Sequence, residues 1–255
     1  MKVKEIKEKL IQGIQTYCKE NHFEDVIIGL SGGIDSALVL ALACEALGSK
    51  HVHSIMMKTK YTSLKSINLA QQIANLNKVD HKIIDIQNLV DNFLKTVDFE
   101  SKNPITEQNI QARIRGNILM MYSNEKGYLL LACGNKSEIA MGYCTLYGDT
   151  CGGLAPIGDV YKTTVYQIAQ LINTEGKFLI PVEIIERQPS AELALNQQDT
   201  DSLPAYEILD KILKDHIFGK EKPDQNDLEL VTSIQKRFDK NKFKRQQLPP
   251  ILTLN

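Results

Sequence analysis

The stretch VIIGLSGGIDS (residues 26–36), which runs directly into the apolar stretch ALVLALACEAL (37–47), decides the fold. Its first five residues are apolar and rich in β-branched side chains, which is typical of a short strand buried on both faces of a parallel sheet. The small residues that follow predict a tight loop, and the run after them contains mostly strong helix formers. The stretch therefore predicts a strand–loop–helix unit.

The loop SGGIDS has the chemistry of an anion cradle. Gly32 and Gly33 allow the backbone to approach a ligand closely, and the N-terminus of the following helix offers free N–H groups and partial positive charge. Ser31 and Ser36 add hydroxyl donors. Asp35 is out of place beside an anion unless Mg²⁺ lies between it and a phosphate chain. The loop matches neither GxxxxGK[ST] nor GxGxxG, and an ordinary capped turn is the alternative.

Outward from this unit, strands and helices alternate with short connections. Apolar residues at helical spacing predict a first helix at residues 3–17. Further strands are predicted at 51–57, 80–86 and 128–133, and further helices at 63–76, 86–97, 108–127 and 162–173. This alternation predicts a single domain over residues 1–255 with a doubly wound, mostly parallel α/β sheet and helices on both faces, a Rossmann-like fold. Ligands of such sheets bind at the carboxyl ends of the strands.

The composition excludes several classes of protein. The 30 Lys and Arg residues face 31 Asp and Glu residues, a formal net charge of −1, which gives no bulk attraction to nucleic acid or to an anionic membrane. No apolar run approaches the length of about 18 residues that spans a bilayer, and the N-terminus lacks the apolar core of a signal peptide. Five scattered cysteines predict free thiols in a reducing compartment. We therefore expect a cytoplasmic protein with small-molecule partners, and with neither nucleic acid nor membrane as partner.

The loop SGGIDS resembles the pyrophosphate-binding loop of the ATP pyrophosphatase superfamily, which has an adenine nucleotide alpha hydrolase-like fold. Later segments, in the same order, are similar to the NAD synthetase family, and most of all to the synthetase domain of its glutamine-dependent members. These segments are NIQARIRGN (109–117), GNKSE (134–138), GYCTLYGD (142–149), GGLAPIGDVYKT (152–163), PSAEL (189–193), DSLPAYEILD (201–210) and KRQ (244–246).

The resemblance implies an enzyme that uses ATP to amidate nicotinate adenine dinucleotide (deamido-NAD) through an acyl-adenylate, with AMP and pyrophosphate released. The chain has no room for the additional glutaminase domain of the glutamine-dependent members, so we expect free ammonia as the nitrogen donor. Two alternatives stay open: a separate glutaminase that supplies the ammonia, and nicotinate mononucleotide as the substrate. The resemblance also implies a homodimer, with residues 108–127 as a candidate interface helix.

The resemblance further implies roles for single residues. ATP contacts are expected from Gly29, Leu30, Ser31, Gly32, Gly33, Ile34, Asp35, Ser36, Met57, Cys133, Lys162 and Ser190. Deamido-NAD contacts are expected from Asn109, Arg113, Glu138, Leu146, Gly153 and Lys244. Asp35 and Glu138 would hold Mg²⁺. The two catalytic candidates are Asp149, which would meet the ammonia, and Lys162, which would reach the ATP phosphates. Cys133 departs from the family, which usually has a threonine there.

Simpler roles compete with these. Glu138 and Ser190 could serve simply as helix caps, with no contact to a ligand. Lys162 could be a solvated residue at a helix start, although a cation there opposes the helix dipole. Arg113 and Arg115 lie two positions apart and cannot share a helix face. We therefore expect Arg113 at the ligand and Arg115 in a surface ion pair.

Two further features allow more than one interpretation. The basic run at residues 236–245 is expected either on a solvated face or as a tail over an anionic ligand. Cys133, Cys144 and Cys151 are expected to be packing residues. Among other classes of protein, an RNA-modifying relative would need a basic RNA-binding domain, which the charge and the length disfavour. A non-catalytic nucleotide-binding module would be expected to have lost one of the three residues above, Asp35, Glu138 or Lys162.

Overall fold

Four short strands form the centre of the molecule. The computed structural model describes residues 1–97, 102–195 and 197–254. Its strands are β1 (Val26–Gly29), β2 (Val52–Lys58), β3 (Asp80–Asp85) and β4 (Leu129–Leu131). They form one sheet in the order β3-β2-β1-β4, in which every neighbouring pair is parallel. The predicted parallel α/β sheet is confirmed.

The strand order places a crevice beside β1. The chain moves outward from β1 to β2 and β3, and it then returns to place β4 on the other side of β1. This reversal is a topological switch point, where the connections after β1 and β4 leave in opposite directions and open a ligand site at the carboxyl ends of the strands. The SGGIDS loop follows β1 directly and therefore lies in this crevice.

Helices surround the sheet within the described residues. The helices that pack on the sheet or connect its strands are α1 (Val3–Glu20), α2 (Ile34–Leu47), α3 (Leu64–Leu76), α4 (Gln87–Thr96) and α5 (Pro104–Lys126). Those that follow β4 are α6 (Lys136–Ala140), α7 (Lys162–Glu175), α8 (Val182–Glu186), α9 (Tyr206–Ile212), α10 (Leu228–Lys240) and α11 (Lys242–Arg245). Short 3₁₀ turns span Ser49–His51 and Asp199–Asp201, and a π-helical segment spans Leu213–Phe218.

Both faces of the sheet are covered, as the prediction requires. Val26 and Ile28 of β1 pack with α1, α2, α3 and α7 in the largest core. Ile27 points to the other face, where it packs with Leu119 of α5. Side chains alternate between faces along a strand, so an apolar residue at every position of β1 requires helices on both sides.

A separate small core lies beyond the ends of the strands. It joins α6, α9 and α10 through buried residues such as Ala140, Leu209 and Ile234. The sequence pattern predicted no helix at the positions of α6 and α8. Both are five residues long, too short for a helical repeat to show.

Several predicted boundaries are wrong, and two of them have a clear local cause. The long helix α5 begins at Pro104 instead of residue 108, because Asn103 caps it by accepting from the Ile105 N–H at 3.1 Å and proline is favourable in the first turn. Strand β4 ends at Leu131, because the next residue, Ala132, donates instead to Leu154 at 2.8 Å. No helix among the described residues is long and apolar enough to span a membrane.

Candidate active site

A cavity of about 530 Å³ opens at the switch point, within the usual size range of small-molecule sites. The ends of β1, β2 and β4 form its floor, while α5, the loop around Ser190 and the C-terminal segment form its walls. Most of the residues predicted from the resemblance line it: Gly29, Leu30, Ser31, Gly33, Ile34, Asp35, Ser36, Met57, Asn109, Cys133, Glu138, Asp149, Lys162, Ser190 and Lys244.

The SGGIDS loop is a preformed turn. The hydroxyls of Ser31 and Ser36 lie 3.1 Å apart, and Ser36 also donates to the Gly33 carbonyl at 3.1 Å. Gly32 has a φ of +78°, and a Cβ there would collide with the Ser66 carbonyl, so glycine is required. Helix α2 begins directly after Gly33 without a side-chain cap. Its first N–H groups remain available to an anion, in agreement with the predicted cradle.

Beside the loop lies a buried lysine between two carboxylates. Lys162, the first residue of α7, is 1% exposed. Its ammonium contacts Asp35 directly and lies 3.4 Å from Glu138 Oε1. Desolvation disfavours this ammonium, but Asp35 and Glu138 outweigh it and raise the pKa of Lys162. The alternative of a solvated lysine is therefore wrong.

Glu138 has two roles at once. Its Oε2 accepts from the Asn135 N–H at 3.4 Å, which completes a capping box for α6, while Oε1 faces Lys162. Desolvation and the neighbouring Asp35 raise the pKa of Glu138 well above its usual range. The capping alternative is thus correct for Oε2, whereas Oε1 forms part of the cluster of Lys162, Asp35 and Glu138.

A third carboxylate, Asp199, was not predicted. It is 3% exposed, lines the cavity, and accepts from Tyr206 at 2.8 Å and from Tyr143 at 3.2 Å. The Tyr206 ring lies 5.1 Å from the Lys162 ammonium. Desolvation raises the pKa of Asp199. Three carboxylates around one lysine leave this wall with a net negative charge when all of them are ionised.

Asp35 and Glu138 could hold a metal ion. Oxygen ligands suit Mg²⁺, which usually takes one or two carboxylates and completes its shell with water and substrate phosphates. Within the described residues no group of three or more His, Cys, Asp and Glu forms a complete protein site. A divalent cation here would therefore need ligands from a bound phosphate chain as well.

Across the cavity, Asp149 is held by its own loop. Its Oδ1 accepts from the Thr145 N–H at 2.6 Å, and the Thr145 hydroxyl donates to Asn109 at 2.8 Å. The carboxylate is open to the cavity, yet desolvation by the surrounding protein raises its pKa to about 6. Thr145 thus connects two predicted site residues from distant parts of the chain.

The C-terminal basic segment is bound to the site. Lys244 donates to the carbonyls of Gly142 and Cys144 at 2.8 and 2.7 Å, and Arg237 donates to Met141 at 3.0 Å. These carbonyls follow α6 and lead into the Asp149 loop. For Lys244 and Arg237, which both line the cavity, the solvated-face interpretation is wrong.

Four predicted residues lie outside the cavity lining: Gly32, Arg113, Leu146 and Gly153. Gly32 instead packs against α3. Arg113 is exposed and donates to the Leu146 carbonyl at 3.2 Å. Gly153 packs against Leu129 and accepts from Tyr17 at 2.7 Å. Gly32 still belongs to the SGGIDS loop, whereas the structure does not bring Arg113, Leu146 and Gly153 together with the other cavity residues.

Arg115, expected in a surface ion pair, instead lines the cavity. It donates to the Met57 carbonyl at 3.0 Å, and desolvation lowers its pKa to about 10. The reason lies in helical spacing, since Gln108, Ala112, Arg115 and Leu119 are three or four residues apart and line the same cavity. This spacing identifies Arg115 only once Leu119 is known to line the cavity, which the structure shows.

Ser190 does not cap a helix. Its hydroxyl accepts from the Glu192 N–H at 3.1 Å and donates to the Gln197 carbonyl, which makes it part of a turn. All five cysteines are free, as predicted. Desolvation raises the pKa of Cys133 beyond the range of a reactive thiol.

The parallel sheet, the glycine-rich loop at its switch point and the buried lysine–carboxylate cluster together define an α/β protein of the adenine nucleotide alpha hydrolase-like class. The NAD synthase family model matches residues 6–248. The chain belongs to the NAD synthase family.

Known proteins agree with this assignment. The chain is 45% identical over 247 residues to the glutamine-dependent NAD(+) synthetase of Thermotoga maritima. The aligned region covers 93% of the chain and 43% of that protein. The chain is 44% identical to the enzyme of the same name from Acinetobacter baylyi, covering 96% of the chain and 47% of that protein. The chain thus spans less than half the length of these curated relatives.

A solved structure of similar length also matches. The NH3-dependent NAD synthetase of Campylobacter jejuni superposes with a TM-score of 0.79 at 31% identity, covering 99% of this chain and 100% of that one. A glutamine-dependent NAD+ synthetase from Acinetobacter baumannii, solved with ADP, superposes with a TM-score of 0.72 at 39% identity, covering 97% of this chain and 46% of that one.

Proposed function

We propose that the chain catalyses the ATP-dependent amidation of deamido-NAD to NAD with ammonia, and that AMP and pyrophosphate are released. The observation that carries the proposal is the joining of two kinds of site in one cavity. The SGGIDS loop and the Lys162 cluster lie on one side, and the Asp149 loop lies on the other. Activation and amidation can therefore occur in one cavity, with the two reacting groups held close together.

In the first step, a carboxylate oxygen of the nicotinate ring attacks the α-phosphorus of ATP. The bond from that phosphorus to the bridging oxygen of pyrophosphate breaks, and an acyl-adenylate forms. The N–H groups at the start of α2 and the Ser31 hydroxyl are placed to hold phosphate oxygens, and Lys162 is placed to stabilise the charge that moves onto pyrophosphate. Mg²⁺, held by Asp35 and Glu138, would supply further charge neutralisation.

In the second step, ammonia attacks the acyl carbon, and AMP leaves with the carbon–oxygen bond pair. The attacking nitrogen must lose a proton to become an amide. Asp149 suits this role because a pKa of about 6 leaves it ionised at neutral pH and still basic enough to accept a proton. Its fixed hydrogen bond from Thr145 orients the carboxylate.

Some of the proposed contacts with deamido-NAD are supported by the position of the residue in the cavity, and others are not. Asn109 and Lys244 line the cavity, as a role in binding deamido-NAD requires. Arg113, Leu146 and Gly153 lie outside the lining, and their contacts with the substrate stay predictions. The first two adjoin one another on the outer side of α5, where a substrate that extends beyond the cavity could reach them.

The nitrogen donor is proposed to be free ammonia. The Campylobacter jejuni neighbour named NH3-dependent supports this donor, since it superposes on the chain at 31% identity with a TM-score of 0.79. The alternative is a separate glutaminase chain that delivers ammonia to the same cavity. Glutamine would then support the reaction only when a second protein is added.

A coupled assay tests the proposal. Purified protein is incubated with ATP, Mg²⁺ and deamido-NAD, and with either ammonium or glutamine, and the products are separated by chromatography. We expect NAD, AMP and pyrophosphate in equal amounts with ammonium, and no NAD with glutamine alone. Formation of ADP, or no NAD with ammonium, would refute the proposed reaction.

The same assay decides between the dinucleotide and the mononucleotide. A structural neighbour named NMN synthetase, from Francisella tularensis, shares the fold with a TM-score of 0.82 at 24% identity. We expect kcat/KM to be higher for deamido-NAD than for nicotinate mononucleotide. A ratio below one would assign the chain to the mononucleotide instead.

A further inference from the structure

The loop around Ser190 is bound to the N-terminus of α3 through Glu192. This carboxylate accepts from the Ser63 N–H at 3.2 Å and from the hydroxyls of Ser63 and Ser66, each at 2.8 Å. It therefore satisfies donors at the start of α3 from a distant part of the chain. Glu192 has a φ of +46°, a strained conformation that the surrounding bonds must hold.

Arg187 is held by the same group of atoms. One guanidinium nitrogen, Nη2, lies 3.0 Å from Glu192 Oε1, and the other, Nη1, donates to the Ser66 hydroxyl at 2.8 Å. Both side chains are at least four-fifths buried, and both line the cavity. The guanidinium is thus fixed in orientation before any ligand binds.

This arrangement places Arg187 next to the SGGIDS loop. Ser66, which accepts from Arg187, is also the residue whose backbone packs against Gly32. Arg115 faces Glu192 from α5 and lines the same cavity. With two arginines and one glutamate, this wall carries a net positive charge.

The distribution of charge suggests a role for the arginine wall. Lys162 is paired with Asp35 and Glu138, so a polyphosphate needs further cationic groups beside it. A guanidinium presents several donors in a planar fork that matches phosphate oxygens. We propose that Arg187 binds the phosphate chain of the nucleotide in the SGGIDS loop, and that Glu192 is the positioning residue that holds it there. This inference rests on the proposed function for the presence of a nucleotide.

Equilibrium binding of ATP, ADP, AMP and adenosine in the presence of Mg²⁺, measured by calorimetry, tests the role of Arg187. We expect R187Q to weaken ATP binding about tenfold or more, as for the loss of charged hydrogen bonds. The loss should decrease with each phosphate removed, and adenosine should bind as it does to the wild type. Lys126→Gln, an exposed charge at the end of α5, is the matched control and should bind all four ligands normally.

The conservative variant Arg187→Lys keeps the charge and removes the fork. It should fold even if R187Q does not, and it should show a smaller loss with the same dependence on phosphate number. ATP binding within about twofold of the wild type in both variants would overturn the inference. An equal loss for ATP and adenosine would also overturn it, since this would indicate a structural role.

A double-mutant cycle tests the positioning role of Glu192. Glu192→Ala should weaken ATP binding in the wild type and have no further effect when Arg187 is already glutamine. Additive losses would refute the positioning role. NAD formation is measured separately: a wild type that binds ATP but makes no NAD would refute the proposed function and leave the inference about Arg187 standing.

Discussion

Lys162 lies at the first position of α7, where the helix dipole disfavours a cation, and it is almost completely buried. The helix dipole and burial both disfavour the charged ammonium, and the carboxylates of Asp35 and Glu138 compensate both effects. The two carboxylates would in turn repel each other without the lysine between them. Such a cluster is costly as a stabilising device, and its position beside the SGGIDS loop gives it a chemical use.

Replacement of Asp35 by asparagine tests that use. The amide can still accept from Asn135, so the fold should remain, but the charge that faces Lys162 and would hold Mg²⁺ is lost. We expect NAD turnover to fall by about 100-fold or more, by analogy with the loss of other transition-state contacts. Steady-state assays and circular dichroism measure the two effects.

Asp80→Asn is the matched control for this variant. Asp80 lies at the start of β3, at the opposite end of the sheet from the cavity, where it pairs with His53. It should retain full turnover. Full turnover in Asp35→Asn would remove Asp35 from the reaction.

The raised pKa of Asp149 predicts a pH dependence. A protonated carboxyl can neither hold ammonium nor accept a proton, so the rate should fall as the pH decreases through about 6. An unperturbed aspartate, with a pKa of about 3.9, would show this fall two units lower. The measurement is kcat/KM for ammonia with the free ammonia concentration held constant at each pH.

Asp149→Asn provides the comparison. Its residual rate should be low and should lack the acidic limb near pH 6. The same limb in this variant would show that another group controls the reaction, whereas a limb near pH 4 in the wild type would show that the pKa of Asp149 is not raised.

At the scale of elements, Lys7 joins three helices. It projects from α1, is 3% exposed, and contacts Glu45 of α2 at 3.1 Å and Glu175 at the end of α7. The contacts raise the pKa of Lys7 although desolvation opposes them. These helices pack together on one face of the sheet. The ion pairs of Lys7 with Glu45 and Glu175 therefore stabilise the scaffold and not the site.

Lys7→Met should therefore destabilise the protein without changing its activity. The methionine keeps the apolar contacts, while both glutamates lose a partner but stay partly exposed to water, which limits the expected loss to about 1–3 kcal/mol in the free energy of unfolding. Urea denaturation measures this loss. Lys4→Met, on the exposed side of α1, should be neutral, and equal stability of the two variants would contradict the prediction.

At the scale of the whole molecule, the predicted homodimer has a candidate surface beside α5. Helix α4 packs on α5 and leaves Leu89 and Phe93 50% and 49% exposed, one turn apart on the same face. Adjacent exposed apolar side chains often mark an interface. The homodimer, the single domain, Mg²⁺ and the cytoplasmic location all stay predictions.

Light scattering tests the dimer. The wild type should have twice the mass of one chain, and Phe93→Glu should reduce it to one, because a charge would be buried in the interface. Leu228→Glu, a similarly exposed position on α10, should leave the mass unchanged. A monomeric wild type would contradict the prediction.

The sequence by itself determined the order of strands and helices through α5 and the glycine-rich loop, while the resemblance to a known family supplied most of the residues that line the cavity. It could do so because these features are local: β-branched runs, helical spacing and motifs such as PSAEL are read within a few residues. The start of α5 was missed because a capping residue and a proline decide it. The helix α6 was missed because five residues are too few to show a helical repeat.

Only the tertiary structure decided which side chains meet. Lys162 reaches Asp35 across 127 positions of sequence, and Asp199, Arg115 and Arg187 enter the cavity through the packing of separate elements. Charge compensation depends on distance and burial, and neither is encoded in a local pattern. The loop alone therefore predicts an anion cradle, whereas the Lys162 cluster and the wall formed by Arg115, Arg187 and Glu192 exist only once the chain has folded.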